Sequence, residues 1–473
     1  MNKKFNSSLK SFITTIFIFT LFRCAHYPEN QPVTDLGSLN NYFPRLSKFE
    51  KNKRDDILLI LAFSGGGTRA ASLAYGVLKG LDKIDLPSPL GSNQTHTLLD
   101  EVDTISSVSG GSFTASYFGL RGRDGFTDFE NQFLYRNVQR GIFLRILSPL
   151  NWWKLASRKY GRSELAAQYY DKILFNNATL GQIFDNKNSP NIGIMATDIG
   201  DGNPFSFTKT TFSLLCSNYE TFPISRAVAA SSAFPGAFSS ITIINYADQC
   251  QNALDMDIQA IKKRSDRLGH LGQAVSTYRD IHRKPFVHLQ DGGIADNLGL
   301  RGPLNAARYG IYKAKTYPEL AAKFPSKIAF IVVNAETSSE GYFNKLDVTP
   351  NMMSLLWETF SIFIKNYNTE TLELLKSSLK DWEILSRKDP AIKKPFKFYT
   401  AEISFRNLQD KNREKKFLAL PTSLTLSKNE VNDLIEVGQE LLFQEPEFQE
   451  FVKDLGGKFP NNPSLVPKNI SKK

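Results

Sequence analysis

The stretch "ISSVSGGSF" (Ile105–Phe113) places two serines and two glycines directly after an apolar run. A strand-to-helix turn of this kind can hold one hydroxyl up for nucleophilic attack, with the following helix adding a positive field at its N-terminus. Ser109 sits in the centre, and Gly110 and Gly111 allow close backbone approach. Measured against the nucleophile-elbow pattern G-x-S-x-G, Ser107 stands where the first glycine belongs, while Gly111 keeps the last. Small residues also fill many turns that do no chemistry. The hydroxyl therefore needs a base to be meaningful. Of the five histidines only His288 lies near a strand end, where the strand would turn it into the core. In the same stretch, "FVHLQDGGIADNLGL", Asp291 ends a short apolar run and precedes two glycines. A carboxylate held in such a poorly solvated turn has a raised pKa and is a stronger proton acceptor. An ordinary turn-forming aspartate before Gly-Gly is the alternative.

Attack on a carbonyl also creates an oxyanion, which needs convergent donors. "SGGGTRA" (Ser64–Ala70) offers the unobstructed N–H groups of Gly65, Gly66 and Gly67, and Arg69 either braces the loop or meets an anionic substrate. Gly65, Gly67 and Ala70 also satisfy the dinucleotide fingerprint G-x-G-x-x-G/A. That fingerprint expects an acidic residue at the end of a second strand, whereas Asp82 and Asp85 follow the first helix directly. A phosphate loop of the Walker type fails as well, because no Lys-Ser or Lys-Thr follows the glycines.

Positioning these groups requires strands that end where the motifs begin. "DILLILAFS" (residues 56–64) is a continuous apolar run, as in a strand buried on both faces, "VDTISSVS" (102–109) repeats the strand-then-helix plan, and "NIGIMATDI" (191–199) and "KIAFIVVNA" (327–335) are two more buried-strand candidates. Helical spacing follows the first two, so an α/β fold with a mostly parallel sheet is expected. Residues 55–345 form the expected catalytic domain, with insertions near 123–190 and 251–285. The first insertion is rich in aromatics and bases, including Trp152 and Trp153, a composition suited either to a lipid headgroup boundary or to core packing. After about residue 345 the strands are expected to stop, leaving residues 346–473 as a helical C-terminal extension. "MMSLLWETFSIFIKNYNTETLELLKSSLKDWEIL" reads as one or two amphipathic helices there.

The first 24 residues stand apart. Lys3, Lys4 and Lys10 precede the uncharged run "FITTIFIFTLF", which is shorter than the roughly 20 residues of a bilayer span and reads as a secretory signal. Cys24 directly after it resembles a bacterial lipoprotein signal, in which that cysteine is lipidated, although Arg23 occupies a position that is usually small. An ordinary signal with an incidental cysteine is the alternative. Residues 25–54 look like a polar linker. Export to an oxidising compartment would allow Cys216 and Cys250 to pair as a disulfide, two buried thiols being the alternative. The hydrophobic share of 41% and charged share of 22% exclude wholesale disorder, and the net charge of +11 suits a phosphate-rich partner. No Cys and His cluster has zinc spacing. No helix-turn-helix or stacking motif supports nucleic acid as that partner, so an anionic membrane surface is the expected one.

Taken together, "FSGGGTRA", "SSVSGGS" and "LQDGGIADNLGL" resemble, in that order, the signature blocks of the patatin-like phospholipase family. "PISRAVAASSAFPGAF" (223–238) is similar to the family's stretch before its catalytic aspartate, and "MATDIGDGNPFSF" to its central strand and hairpin. The resemblance covers about residues 55–335. It implies a three-layer α/β/α fold, Ser109 as nucleophile, Asp291 as base, and Gly65, Gly66, Gly67 and Arg69 as the oxyanion loop. It further implies hydrolysis of lipid esters with no metal or organic cofactor. The same acyl-enzyme would serve an acyltransferase, and a lipid- or protein-binding descendant without catalysis is the third possibility.

Overall fold

The computed structural model describes residues 27–34, 54–88, 96–250, 261–264, 266–316, 325–338, 347, 349, 351–388, 392 and 395–460. The signal segment with Cys24, most of the 25–54 linker and residues 251–260 of the second insertion lie outside the described residues.

The apolar runs are strands of one sheet: β1 (Ile57–Phe63), β2 (Val102–Val108), β3 (Asn191–Asp198), β4 (Asn203–Phe207), β5 (Ile241–Ile244), β6 (Phe286–Asp291), β7 (Lys327–Asn334) and β8 (Lys397–Ser404). Their order is β8-β7-β1-β2-β3-β6-β5, with β4 also paired to β3. The five strands β8, β7, β1, β2 and β3 run parallel, and β4, β5 and β6 add antiparallel pairs. The helices that bear on the site are α1 (Gly67–Leu81), α2 (Gly110–Arg121), α3 (Val138–Leu147), α4 (Pro149–Leu155), α5 (Arg162–Tyr170), α6 (Ile224–Ser231), α7 (Arg301–Thr316), α8 (Met352–Lys388) and α9 (Lys428–Gln444).

Strand parity sorts β1 between two helical layers. Leu59, Leu61 and Phe63 join α1 and α9 residues such as Leu73, Val77, Leu434 and Leu441 on one face. Ile60 and Ala62 meet Leu304 of α7 and Leu375, Leu379 and Trp382 of α8 on the other. Burial of this kind contributes about 1.5–3 kcal/mol for each large apolar side chain. The result is the α/β/α architecture expected from the sequence.

The C-terminal region departs from expectation. Residues 352–388 are a single helix, but Lys397–Ser404 is a strand that runs parallel to β7 in full register, from Lys397↔Lys327 to Ser404↔Asn334. The segment "KFYTAEIS" mixes polar and apolar residues because β8 is an edge strand, which needs no continuous apolar run. Among the described residues, no helix is long and apolar enough to cross a membrane.

Candidate active site

One strand aligns the two reactive groups. β2 runs parallel to β3 and ends at Val108, opposite Met195. β6 runs antiparallel to β3 and ends at Asp291, opposite Ala196. Residues 194–198 already pair with β4 on one edge, so β2 and β6 meet end to end along the other. Ser109 and Asp291, 182 positions apart in sequence, thus emerge at neighbouring positions of β3, with Ser109 Oγ donating to Asp291 Oδ2 at 3.2 Å.

Ser109 occupies φ 48° and ψ −115°, a left-handed conformation that favours glycine. It is the N-cap of α2, yet its hydroxyl makes no capping bond. An N-cap serine ordinarily satisfies one of the first helical N–H groups; here the backbone twist directs the hydroxyl to the carboxylate. The strained turn is held from below. Ser231 Oγ accepts the Ser109 N–H at 2.8 Å and donates to Met195 O at 2.5 Å. Ser231 belongs to the small-residue block at 223–238, whose composition singles out no one residue. A buried serine needs a polar partner, but only the structure shows that this helix is buried and which groups Ser231 joins.

Asp291 is buried, and its carboxylate accepts the Gly293 N–H at 2.8 Å through Oδ1 and the Ser109 hydroxyl through Oδ2. Burial pushes this carboxyl up to about 7, against the pull of those two donors toward the charged form. No cation is bonded to it among the described residues. Its own backbone is fixed by the Asp291 N–H to Ala233 O at 3.1 Å and by Thr197 Oγ1 donating to Asp291 O at 2.8 Å. Strand parity decides against the histidine. Val287, Leu289 and Asp291 share the buried face of β6, while His288 is exposed and meets Thr242 Oγ1 at 3.0 Å. The expectation that His288 turns into the core is therefore corrected.

The glycine loop lies against the serine. A Cβ on Gly65 would stand 3.4 Å from Ser109 Cβ, and one on Gly110 would collide with Gly67 O at 2.0 Å. Gly66 and Gly67 adopt φ 141° and 60°, which only glycine takes without strain. The loop's donors divide into two sets. Gly65 N–H goes to Asn297 O at 3.1 Å and Thr68 N–H to Ser423 O at 2.8 Å. Among the described residues, the N–H groups of Gly66 and Gly67 have no acceptor. Of the three glycines, the middle and last therefore keep a donor to offer.

Arg69 braces the loop. It is buried, and it donates to Ala335 O at 2.9 Å, Leu420 O at 2.6 Å and Thr422 Oγ1 at 3.0 Å. Burial without a carboxylate partner pulls its pKa down to about 9. Two of its three acceptors belong to the C-terminal region, a dependence the local motif could not reveal. Helix α8 also reaches the site. Asn297 Nδ2 donates to Asn368 Oδ1 at 3.4 Å, and the rings of Phe234 and Phe360 lie 5.7 Å apart.

Cys216 and Cys250 are joined as a disulfide with a Cα–Cα distance of 5.9 Å. Trp152 and Trp153 are exposed on α4 and take no part in a core. Among the described residues, no group of three His, Cys, Asp or Glu side chains could hold a metal ion.

With this geometry in place, the class of the protein is fixed by comparison. The chain belongs to the patatin-like phospholipase family, whose family model matches residues 61–304. Human GIVD cytosolic phospholipase A2 is a structural match at 13% identity and a TM-score of 0.35, covering 63% of this chain and 47% of that one. The chain thus spans about half the length of that enzyme. VipD from Legionella pneumophila matches at 11% identity and a TM-score of 0.30, covering 86% of this chain and 68% of that one. No curated protein matches the chain.

Proposed function

We propose that the chain is a lipid acyl hydrolase of the phospholipase A type, working through a Ser109–Asp291 dyad. Asp291 Oδ2 takes the Ser109 proton as Oγ attacks the ester carbonyl of a phospholipid. The developing oxyanion is received by the Gly66 and Gly67 N–H groups and the N-terminal field of α2. Collapse of the tetrahedral intermediate breaks the ester C–O bond, and Asp291 returns its proton to the departing lysolipid. Water then loses a proton to Asp291, adds to the acyl-enzyme, and displaces the fatty acid as Ser109 recovers its proton. An alcohol in the place of that water would give acyl transfer from the same intermediate.

The single observation behind this reading is the 3.2 Å contact between Ser109 Oγ and Asp291 Oδ2 beside two unused glycine donors. Membership of the phospholipase family supports the choice of lipid esters. The basic head, apolar run and Cys24 favour action after export, at a membrane to which the chain is lipid-anchored.

Hydrolysis of dispersed phospholipid by the wild type, Ser109→Ala and Asp291→Asn tests the proposal. Loss of at least about 10³-fold in turnover is expected for each variant, in keeping with removal of a nucleophile or its base. Comparable turnover in all three would refute the dyad. A well-folded wild type that cleaves no ester would favour a binding protein.

A further inference from the structure

The first insertion builds a surface that the dyad does not use. Helices α3 and α4 form a hairpin around Ser148 and Pro149, and α4 contains no buried residue. Phe143, Leu144, Leu147, Leu150, Trp152 and Trp153 are exposed on this pair, Leu150 at 81% and Trp152 at 57%. Single exposed apolar residues are ordinary, but six within eleven positions of one segment point to a binding role.

Charge around the hairpin is one-sided. Between Glu130 and Glu164 the sequence holds seven Lys and Arg, from Arg136 to Arg162, and no Asp or Glu. Among the described residues none of the seven has a carboxylate partner: Arg145 stacks 3.9 Å over the Tyr169 ring, and Arg162 donates to Gly236 O at 3.0 Å. Elsewhere the protein does pair its bases, as in Arg226–Glu164 at 2.8 Å and Arg413–Glu440 at 2.7 Å.

A cleft of about 610 Å³ opens where the hairpin meets the β5–β6 edge, lined by Arg158, Lys159, Arg162, Ser239, Thr242 and His288 among others. Glu164 also lines the cleft but is paired with Arg226 at 2.8 Å, so Arg158, Lys159 and Arg162 stand there beside hydroxyl groups, side chains of the kind that bind a phosphate diester. One loop borders both the cleft and the base. Ser163 N–H donates to Ser239 Oγ at 3.2 Å, and the loop carrying Ser239 also supplies Ala233 O to the Asp291 N–H.

We infer that the α3–α4 hairpin docks on an anionic phospholipid bilayer, with Leu150 and Trp152 inserted at the headgroup boundary and the basic cleft taking a lipid phosphate. Interfacial helices combine apolar side chains, tryptophan and unpaired bases in this way. The inference rests on the lipid-hydrolase reading for its purpose, since docking there would hold the chain on a surface made of its substrate. Its test does not depend on hydrolysis.

Co-sedimentation with vesicles of phosphatidylcholine alone and of phosphatidylcholine mixed with anionic phosphatidylglycerol reads the docking directly. The full chain carries Ser109→Ala so that no lipid is consumed. Partitioning at least about tenfold higher on the anionic vesicles is expected. Leu150→Ser with Trp152→Ser should lower it about tenfold or more, and Arg158→Glu with Lys159→Glu should remove the preference for phosphatidylglycerol. In the Ser109 background, hydrolysis of a water-soluble short-chain ester should be unchanged by either pair, which shows that the variants fold. Equal partitioning with and without phosphatidylglycerol, or partitioning indifferent to both pairs, overturns the inference and leaves a protein partner as the occupant. Absent ester hydrolysis in every chain would instead count against the dyad, with thermal melts then certifying the fold and the vesicle result standing by itself.

Discussion

At residue scale, the site combines two unfavourable local states that support each other. Ser109 is held at φ 48°, where a side chain costs about 1–3 kcal/mol. Replacing it by glycine removes that cost while alanine retains it, so Ser109→Gly should melt higher than Ser109→Ala in parallel thermal scans. Asp291 is the second strained element, because its carboxyl is raised from 3.8 to about 7 by burial. Protonated below that value, it cannot accept the serine proton, so kcat/KM for an uncharged ester should rise with pH through about 7 and level above it. A profile flat between pH 5 and 8 would rule out this carboxyl as the base. Stability has the opposite trend. The raised folded pKa gives stabilisation that is complete below the ordinary aspartate value and is lost as pH climbs through about 7, a loss on the order of 4 kcal/mol by pH 8. Asp291→Asn should therefore be more stable than the wild type at pH 8 and nearly equal to it at pH 4, by denaturant titration. The period of two puts residues 287, 289 and 291 on one face of β6 and His288 on the other, but which of the two faces is buried was not legible in the sequence. Ser231 was not legible as a support, because its role depends on α6 crossing β3.

At the scale of elements, turns rather than strands carry the specificity. Gly110 abuts Gly67 so closely that a Cβ would fall 2.0 Å from its carbonyl and 2.7 Å from its nitrogen. Both partners are backbone, so relief requires moving the oxyanion loop. Gly110→Ala is expected to lower turnover at least about 10²-fold, the effect of losing one oxyanion donor; near-normal kinetics would contradict the role given to Gly67. Helices α1 and α9 cross through a second close approach, where a Cβ on Gly76 would sit 2.4 Å from Ile435 O and one on Gly438 2.7 Å from Leu73 O. Gly438→Val should destabilise the fold by about 1–3 kcal/mol through this overpacking, read from the denaturation midpoint, while the residual folded fraction keeps its activity. The strands β1, β2, β3 and β7 could be read almost to the residue: β1 and β7 because burial on both faces leaves them almost continuously apolar, β2 and β3 in spite of polar residues such as Asp103, Ser106, Ser107 and Asp198. β8 escaped because an edge strand carries a mixed pattern; α8 was legible as amphipathic helix, but nothing in its pattern announces that it reaches the site.

For the whole molecule, the part beyond the family match is structurally bound to the site. The match ends at residue 304, yet β7 and β8 extend the same sheet, and Leu420, Thr422 and Ser423 hold Arg69 and Thr68 of the glycine loop. A chain cut after residue 345, where the strands were expected to stop, would lose β8, α8 and α9 together. It should fail to give a cooperative thermal transition; a stable, active fragment would show that the C-terminal region is dispensable. The Cys216–Cys250 bond closes a loop of 34 residues, so its loss should cost about 3–4 kcal/mol, measured by comparing melts with and without reductant.

The central claim, that Ser109 is the nucleophile made reactive by Asp291, is tested most directly by a fluorophosphonate reagent followed by peptide mass mapping. A single adduct on Ser109 is predicted, formed at least about 10²-fold more slowly in Asp291→Asn. An adduct on another serine, or labelling of Ser109 at an unaltered rate without the carboxylate, would contradict it.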